Sequence, residues 1–181
     1  SKLFYASPDE SLKIIGVTGT NGKTTVTMLG QHLLGGSQLV GLIGTIRYDI
    51  GNRTLPSHRT TPESADCFEL LSEMKMANCS DALVEVSSHG IDQKRVQFIQ
   101  MDTVAFLNLS RDHIDYHKSI ESYFEVKKRL FTDVLGTKAK KAIVNIDCDY
   151  GKMILEAVGT NTECLTFSAD GHASADFRAK S

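Results

Sequence analysis

The residues best suited to chemistry in this 181-residue chain lie in one glycine-rich segment, Gly16-Val-Thr-Gly-Thr-Asn-Gly-Lys-Thr-Thr25. The segment follows an apolar run that predicts a strand and precedes a pattern that predicts a helix, an arrangement typical of loops that bind nucleotide triphosphates. Gly19 and Gly22 allow backbone N–H groups to turn towards phosphate oxygens, and the start of the helix adds a partial positive charge. Lys23 can reach the β- and γ-phosphates, and the Thr24 hydroxyl can bind Mg²⁺.

This segment departs in one place from the usual phosphate-loop pattern, G-x-x-x-x-G-K-[ST]. Counting back from Lys23 places Val17 where that pattern has its first glycine, and Gly16 lies one position earlier. A plain glycine turn before a helix is therefore the alternative interpretation. The Gly-Lys-Thr-Thr ending between a strand and a helix favours the nucleotide site, although such a site alone leaves the reaction open.

A carboxylate interrupts the apolar run Ala82-Leu-Val-Glu-Val86, which predicts another strand. An isolated buried charge is costly, so a buried Glu85 needs a cation, a proton or a hydrogen-bond partner. The alternatives are a position on an exposed face or at the strand end, or a structural acid with its partners, and for Glu85 taken alone we favour these. The polar residues Ser87-Ser-His-Gly90 follow directly and predict a turn.

A second polar cluster follows the predicted strand Thr103–Leu109. The run Ser110-Arg-Asp-His-Ile-Asp-Tyr-His117 contains two histidines and two aspartates, side chains that suit a metal or phosphate site. The spacing matches no zinc pattern, and a polar loop with a helix cap is the alternative. Because ligands of parallel sheets bind at the carboxyl ends of strands, we expect chemistry at these strand ends.

Lys127 lies inside an apolar stripe of the predicted helix Ile120–Phe131. At about 100° per residue, Ile120, Phe124 and Phe131 fall on one side of this helix, and Lys127 falls among them. Its two basic neighbours fall at the edge and on the far side. A lysine in such a stripe must extend its amine to solvent, pair with an anion, lose its proton or be modified, and the first outcome is the commonest.

Alternating strand and helix patterns position these residues. Predicted strands cover Leu12–Val17, Val40–Tyr48, Ala82–Val86, Thr103–Leu109 and Ala142–Ile146, with a weaker one at Cys164–Phe167. Predicted helices cover Lys23–Leu34, Glu63–Ala77, Ile120–Phe131 and Tyr150–Val158. Gly51-Asn52 predicts a hairpin, and Thr61 before Pro62 predicts a helix cap. The alternation predicts an α/β fold with a mostly parallel sheet flanked by helices.

The composition, with 41% hydrophobic and 23% charged residues, is ordinary for a globular protein. A net charge of −2 gives no electrostatic reason to expect binding to nucleic acid or to an anionic membrane. No apolar run approaches the ~20 residues that span a bilayer, and the N-terminus lacks the apolar core of a secretion signal. The four cysteines form no C-x-x-C pair and are interpreted as reduced thiols, so a cytoplasmic location is expected.

Together these segments resemble the Mur ligases, the ATP-dependent amide-forming enzymes of peptidoglycan synthesis. That family shares the extra residue in the phosphate loop. The resemblance is strongest to the ligases that add the third amino acid of the stem peptide, and it implies a P-loop NTPase-like central domain from about Ser11 onwards. The segments that carry it are Thr60-Thr-Pro-Glu63, Glu85-Val-Ser-Ser-His-Gly90, Asn108-Leu-Ser-Arg-Asp-His-Ile-Asp-Tyr-His117 and Tyr123-Phe-Glu-Val-Lys-Lys-Arg-Leu-Phe131.

The resemblance implies a role for each matching residue. The residues implied to bind ATP are Gly19, Thr20, Asn21, Gly22, Lys23, Thr24 and Thr25. One Mg²⁺ would be bound by Thr24 and Glu85. A second Mg²⁺ would be bound by His113 and by Lys127, which in this family carries CO₂ as a carbamate. The implied catalytic residues are Lys23, Glu85, His113 and Lys127. Those implied to contact a UDP-muramoyl-dipeptide are Thr60, Thr61, Ser87, Gln93 and Arg95.

The resemblance also implies a domain organisation. Residues 1–10 would be a remnant of an N-terminal UDP-binding domain or linker, and residues 11–181 would be part of the central ATP-binding domain. The C-terminal domain that selects the amino acid would be absent, so we expect an inactive, monomeric fragment of a ligase that joins the UDP-muramoyl-dipeptide to an amino acid. Two alternatives stay open: another ligase of the superfamily, such as a folylpolyglutamate or cyanophycin synthetase, and a non-catalytic nucleotide-binding module.

Overall fold

A computed structural model describes residues 2–132, 139–158 and 161–180 of the chain. Within these residues nine strands form one sheet: β1 Lys13–Thr18, β2 Val40–Ile43, β3 Arg47–Asp49, β4 Thr54–Pro56, β5 Asp81–Glu85, β6 Thr103–Phe106, β7 Lys141–Asn145, β8 Glu163–Ser168 and β9 Phe177–Arg178. Their order across the sheet is β4-β3-β2-β5-β1-β6-β7-β8-β9. The strands from β2 to β9 in that order run parallel, and β3 and β4 extend the sheet in antiparallel fashion.

The register of the three central strands aligns their carboxyl ends. Val17 in β1 lies opposite Glu85 of β5 on one side and opposite Ala105 of β6 on the other. Apolar residues dominate these strands because helices cover the sheet on both faces. The loops that leave β1, β5 and β6 therefore begin side by side at one edge of the sheet.

The described residues contain the helices α1 Lys23–Leu33, α2 Ser64–Met76, α3 Ser88–Asp92, α4 Ile114–His117, α5 Ile120–Lys128 and α6 Asp149–Ala157. The main core lies on one face of the sheet, where α2, α5 and α6 bury Phe68, Phe124 and Ile154. On the other face Met28 of α1 packs against a small apolar cluster that includes Leu83. None of the helices in the described part of the chain is both long and apolar enough to cross a membrane.

The predicted α/β fold with a mostly parallel sheet is confirmed, and the predicted helices agree with α1, α2 and α6 to within one residue at each end. The helix predicted over Ile120–Phe131 ends at Lys128 and continues as a 3₁₀ turn over Arg129–Phe131. The predicted hairpin is also present, with Gly51 in the left-handed region at φ +77° between β3 and β4. The helices α3 and α4 and the short strand β9 were not predicted, because each is too short to establish a periodic pattern.

Three predicted details are wrong. The strand predicted over Val40–Tyr48 is two antiparallel strands, β2 and β3, because the chain turns between Ile43 and Arg47. The strand predicted over Thr103–Leu109 ends at Phe106, where the chain leaves the sheet. The cap predicted at Thr61 is also wrong: Glu63 holds the N-cap position of α2, and the Thr61 hydroxyl donates instead to the backbone oxygen of Glu85 at 2.7 Å.

The packing of α6 against β7 leads to a prediction about Gly151. A Cβ at this position would lie 1.8 Å from the carbonyl oxygen of Asn145, a backbone atom that cannot move aside. We expect Gly151→Ala to lower the free energy of unfolding by about 3 kcal/mol or more, measured by denaturant titration.

The matched control for that experiment is Gly30→Ala in α1. There the new Cβ would meet only Cδ2 of Leu83, at 2.8 Å, which is the flexible end of a side chain. Alanine also has a helix propensity better than that of glycine by about 1 kcal/mol, so little net change is expected. Equal losses for the two variants would contradict this account of the packing.

Candidate nucleotide and metal site

The phosphate loop lies between the end of β1 and the start of α1. Gly22 holds the N-cap position with φ +85°, which a residue with a side chain adopts only with strain. The first helical hydrogen bond runs from Val26 N to Gly22 O, at 2.9 Å. The N–H groups of residues 22–25 are therefore the four that a helix leaves without intrahelical partners, and with the helix dipole they form an anion site.

Lys23 folds back over this loop. Its Nζ donates to the carbonyl oxygens of Gly19 at 2.9 Å and Thr20 at 3.0 Å. Burial lowers the pKa of Lys23, and the nearby carboxylate of Glu85 opposes part of that effect. The ammonium group thus lies directly beside the predicted phosphate position, as the sequence pattern requires.

Asn108 holds the same loop from the end of β6, although sequence reasoning assigned it no role. Its Oδ1 accepts hydrogen bonds from the N–H groups of Thr20 at 3.1 Å and Asn21 at 2.9 Å. Its Nδ2 donates to the carbonyl oxygen of Asn21 at 3.1 Å. The three hydrogen bonds of this one amide group therefore fix the backbone path of the loop. Because Asn108 lies 87 residues from Asn21 in the sequence, local patterns could not predict the contact.

Thr20 connects the phosphate loop to the polar loop after β6 and to α5. Its hydroxyl oxygen accepts a hydrogen bond from the N–H of Ser110 at 2.9 Å and lies 3.4 Å from the hydroxyl of Tyr123. Tyr123 is buried, and its ring lies 4.7 Å from Nζ of Lys127. The phosphate loop is thus connected to the polar loop that leads to His113 and to the helix that carries Lys127.

Glu85 is only 1% exposed, so the exposed alternative for this residue is wrong. Its Oε2 accepts from the hydroxyls of Thr24 and Thr45, each at 2.9 Å, and its Oε1 accepts from the N–H of Thr45 at 3.0 Å. Three hydrogen bonds account for the buried charge. Thr45 was not among the predicted residues, because it falls inside the run that was read as one strand.

The donor atoms of Thr24 and Glu85 suit a magnesium ion. Both are oxygen ligands, which Mg²⁺ prefers, and they lie at the start of the helix where the phosphates are expected. Their separation of 2.9 Å is close to the distance between neighbouring corners of an octahedron with metal–oxygen bonds of ~2.0–2.1 Å. The two residues therefore fit the predicted first metal position.

Lys127 does not extend its amine to solvent: the residue is 1% exposed. Its Nζ donates to the carbonyl oxygen of Gly19 at 3.0 Å and to the hydroxyl of Thr18 at 3.3 Å, with no carboxylate paired to it among the described residues. Burial, followed by the charge of Lys23, lowers the pKa of Lys127 to about 7. A substantial share of neutral amine near pH 7 makes this lysine available for modification.

His113 lies at the start of α4 with an unusual backbone, φ +51°. Its ring is 5.0 Å from the ring of His89 and 6.2 Å from that of Tyr123, measured between centroids. In the described part of the chain, no hydrogen bond or ion pair joins His113 to Glu85 or to Lys127. The structure brings His113 and Lys127 to the same tyrosine but not into direct contact.

Four of the five residues predicted to contact substrate form one connected group beyond the end of β5. The Thr61 hydroxyl lies 3.1 Å from that of Ser87, and the Thr61 carbonyl accepts from Nη1 of Arg95 at 3.0 Å. Arg95 also donates through Nη2 to Oε1 of Gln93. The fifth, Thr60, lies 3.0 Å from Thr45 through its hydroxyl oxygen. Hydrogen bonds therefore connect the predicted substrate residues to one another and to Glu85.

The fold and site together define an α/β domain with a phosphate loop, built to hold a nucleotide at the ends of three parallel strands. Residues 17–181 match the Mur ligase middle domain, and the chain belongs to that family. It is 38% identical over 186 residues to the UDP-N-acetylmuramoyl-L-alanyl-D-glutamate–2,6-diaminopimelate ligase of Geobacter metallireducens, covering 93% of this chain and 36% of the relative.

Two solved structures of ligases contain a domain with the same fold as this chain. A structure of a UDP-N-acetylmuramoyl-L-alanyl-D-glutamate–2,6-diaminopimelate ligase superposes with a TM-score of 0.80 at 32% identity, covering 92% of this chain and 34% of that one. The MurF ligase of Thermotoga maritima in complex with ADP has a TM-score of 0.63 at 20% identity over 94% of this chain and 37% of that one, and shows the fold alone. The chain spans about a third of the length of these relatives.

The hydrogen bonds of Asn108 lead to a prediction for the phosphate loop. Asn108→Ala should free the N–H of Asn21, so amide hydrogen exchange over residues 19–25 should accelerate. ADP affinity should fall about tenfold, as expected when the hydrogen bonds that shape the loop are lost. Both are measured on the purified protein, by exchange mass spectrometry and by titration calorimetry.

Asn145→Ala is the matched control. The side chain of Asn145 accepts a backbone hydrogen bond from Asp147 at 2.7 Å at the end of β7, and within the described residues no hydrogen bond joins it to the phosphate loop, so ADP affinity should not change. An Asn108→Ala variant with unaltered exchange in the loop would rule out the proposed role of this side chain.

Proposed function

We propose that this chain is the nucleotide-binding part of a ligase that forms an amide bond on UDP-N-acetylmuramoyl-L-alanyl-D-glutamate at the expense of ATP. Relatives that match more than nine-tenths of the chain are named as ligases of UDP-N-acetylmuramoyl-L-alanyl-D-glutamate and 2,6-diaminopimelate. The observation that carries the proposal is the burial of Lys127 beside the phosphate loop, because binding a nucleotide with Mg²⁺ calls for residues such as Lys23, Thr24 and Glu85 but not for a second, buried lysine.

The reaction proposed has two steps. The D-glutamyl carboxylate attacks the γ-phosphorus of ATP in line, ADP leaves, and an acyl phosphate forms. The amine of the incoming amino acid then attacks the acyl carbon, phosphate leaves, and the amine gives up a proton. In the first step the N–H groups of residues 22–25 hold the phosphates, and the ammonium of Lys23 offsets the charge that develops on the transferred group.

Two magnesium positions are proposed. Thr24 and Glu85 supply oxygen ligands to one, and His113 with the carbamate of Lys127 supplies ligands to the other. Bound Mg²⁺ at these positions would neutralise charge on the phosphate oxygens and orient the reacting groups. The lowered pKa of Lys127 supports the carbamate, because only a neutral amine combines with CO₂.

The muramoyl-dipeptide is proposed to lie across the surface formed by Thr60, Thr61, Ser87, Gln93 and Arg95. This surface adjoins Glu85, because the Thr61 hydroxyl donates to the backbone oxygen of Glu85 at 2.7 Å. Arg95 is buried, donates to Thr61 and pairs with Glu63 at 3.1 Å, so a substrate carboxylate near it would meet a guanidinium whose position is fixed by these partners. The position of this surface would bring the substrate carboxylate towards the phosphates, which is the arrangement that the reaction needs.

The remaining two-thirds of the proposed enzyme would supply the binding sites for the UDP group and for the amino acid. Residues 11–181 would be part of the central domain, with residues 1–10 leading from a UDP-binding domain and a further domain selecting the amino acid. The outer face of α1 supports this, because Val26, Leu29 and Leu33 are exposed on a helix that already packs its other side on the sheet. The 181-residue chain alone is proposed to be monomeric and inactive, and the whole enzyme to be cytoplasmic.

The activity is tested in the full-length protein that contains this sequence. Phosphate release from ATP should require both the UDP-muramoyl-dipeptide and an amino acid, with 2,6-diaminopimelate and L-lysine compared. Lys23→Ala should reduce turnover by well over tenfold, roughly 2 kcal/mol or more, because the charge nearest the phosphates is lost.

Lys152→Ala is the control for that test, since Lys152 is exposed and pairs with Asp149 on the surface of α6. Release of phosphate that depends on a folate and glutamate, rather than on the muramoyl-dipeptide, would replace this proposal with the folylpolyglutamate alternative. ATP binding without turnover under any of these conditions would favour the non-catalytic module.

The carbamate leads to its own prediction. Lys127→Ala should reduce turnover more than tenfold, and added acetate or another short-chain carboxylate should restore part of it by replacing the lost anion. Lys127→Arg keeps the charge but cannot combine with CO₂, so it should be as inactive as the alanine variant. Turnover is measured in the full-length protein at saturating substrates.

The matched control is Lys128→Ala, one residue further along α5. Lys128 lies at the surface and pairs with Glu125 at 2.6 Å, so its loss should leave turnover nearly unchanged. Near-normal activity in Lys127→Arg would show that Lys127 acts as an ordinary structural cation.

A further inference from the structure

We propose that Thr45 is a positioning residue that fixes the carboxylate of Glu85 in the orientation in which it binds a divalent cation. The inference deepens the proposed function and rests on its assignment of Glu85 as a metal ligand. It concerns the turn after β2, a segment to which no role has been assigned so far. Thr45 itself would contact neither the nucleotide nor the metal.

The geometry of the contact is specific. Thr45 reaches both oxygens of one carboxylate: its N–H donates to Oε1 of Glu85 at 3.0 Å, and its hydroxyl donates to Oε2 at 2.9 Å. Two donors from one residue fix the rotation of the carboxylate plane, which a single hydrogen bond would leave free. Hydrogen bonds to a charged acceptor are also the strong ones, so the preferred orientation is well defined.

Gly44 makes this approach possible. A Cβ at Gly44 would lie 2.4 Å from Oε1 of Glu85, closer than side chains tolerate. The carboxylate therefore occupies the space that a side chain at position 44 would fill. The interruption between β2 and β3 has the same explanation, since the chain must leave the strand for the N–H and the hydroxyl of Thr45 to face Glu85.

The hydroxyl of Thr45 also connects the carboxylate to the proposed substrate surface. It lies 3.0 Å from the hydroxyl of Thr60. A hydroxyl has one proton, and the carboxylate is the stronger acceptor, so Thr45 donates to Glu85 and accepts from Thr60. Thr60 is thereby left with its oxygen lone pairs, and not its proton, available to a ligand.

The test measures how strongly magnesium promotes nucleotide binding in the full-length protein. ADP is titrated by calorimetry with and without Mg²⁺, and the melting temperature of each variant is recorded. Thr45→Val removes the hydroxyl and keeps the N–H and the branched shape. We expect about a tenfold weaker binding of ADP with Mg²⁺ and less than a twofold change without it.

Two further variants separate positioning from folding. Thr45→Ser restores the hydroxyl and should bind magnesium with ADP as the unaltered protein does. Gly44→Ala keeps Thr45 but displaces the carboxylate, so it should weaken binding in the same magnesium-dependent way. If Thr45→Val fails to fold, Thr45→Ala provides the same measurement. Thr162→Val is the matched control, because it removes a hydroxyl hydrogen bond of 3.1 Å to Ala139, in a loop remote in sequence from Glu85.

The outcomes distinguish this inference from the proposed function. Glu85→Gln should abolish the magnesium effect, and if it does not, the assignment of Glu85 as a metal ligand fails. If Glu85→Gln abolishes the effect while Thr45→Val and Gly44→Ala retain it, the positioning role of Thr45 is overturned and the metal assignment stands. The positioning role would also be overturned if Thr45→Ser weakened the effect of magnesium on ADP binding as much as Thr45→Val does. It would likewise be overturned if Thr45→Val lowered the melting temperature while the magnesium effect persisted.

Discussion

One carbonyl oxygen, that of Gly19, accepts hydrogen bonds from two lysines, Lys23 at 2.9 Å and Lys127 at 3.0 Å. Two ammonium groups that share an acceptor repel each other, and both are withdrawn from water, so the pair is unfavourable unless one proton is lost or an anion arrives. The carboxylate of Glu85 near Lys23 offsets part of this repulsion. The rest is relieved when Lys127 loses its proton, which its pKa of about 7 allows, or when an anion binds at the N–H groups that begin α1.

The parallel sheet makes this concentration of charge possible. Because β1, β5 and β6 are neighbours in register, three separate loops leave the sheet at one point, and each contributes a different kind of group. The apolar core beneath them anchors Tyr123, which touches Thr20 on one side and Lys127 on the other. The polar groups are thus held by packing that is independent of any ligand.

The sequence predicts the parts of this site that are local. The phosphate loop and the apolar stripe around Lys127 follow from spacing along a few turns of chain, and the structure has both. Thr45 and Asn108 could not be predicted from local spacing, because their partners lie 40 and 87 residues away. The turn at Gly44 could not be predicted from hydrophobic periodicity either, since the apolar residues on both sides of it continue the pattern of a single strand.

The hydrogen bonds from Asn108 to the phosphate loop bear on the thermodynamics of binding. A loop whose backbone is ordered when the protein folds has already lost its conformational entropy, so a nucleotide does not have to order it on arrival. Association then needs little rearrangement and should proceed at similar rates for nucleotides of different length. Selectivity between a triphosphate and a diphosphate would accordingly be expressed in how long each one stays bound.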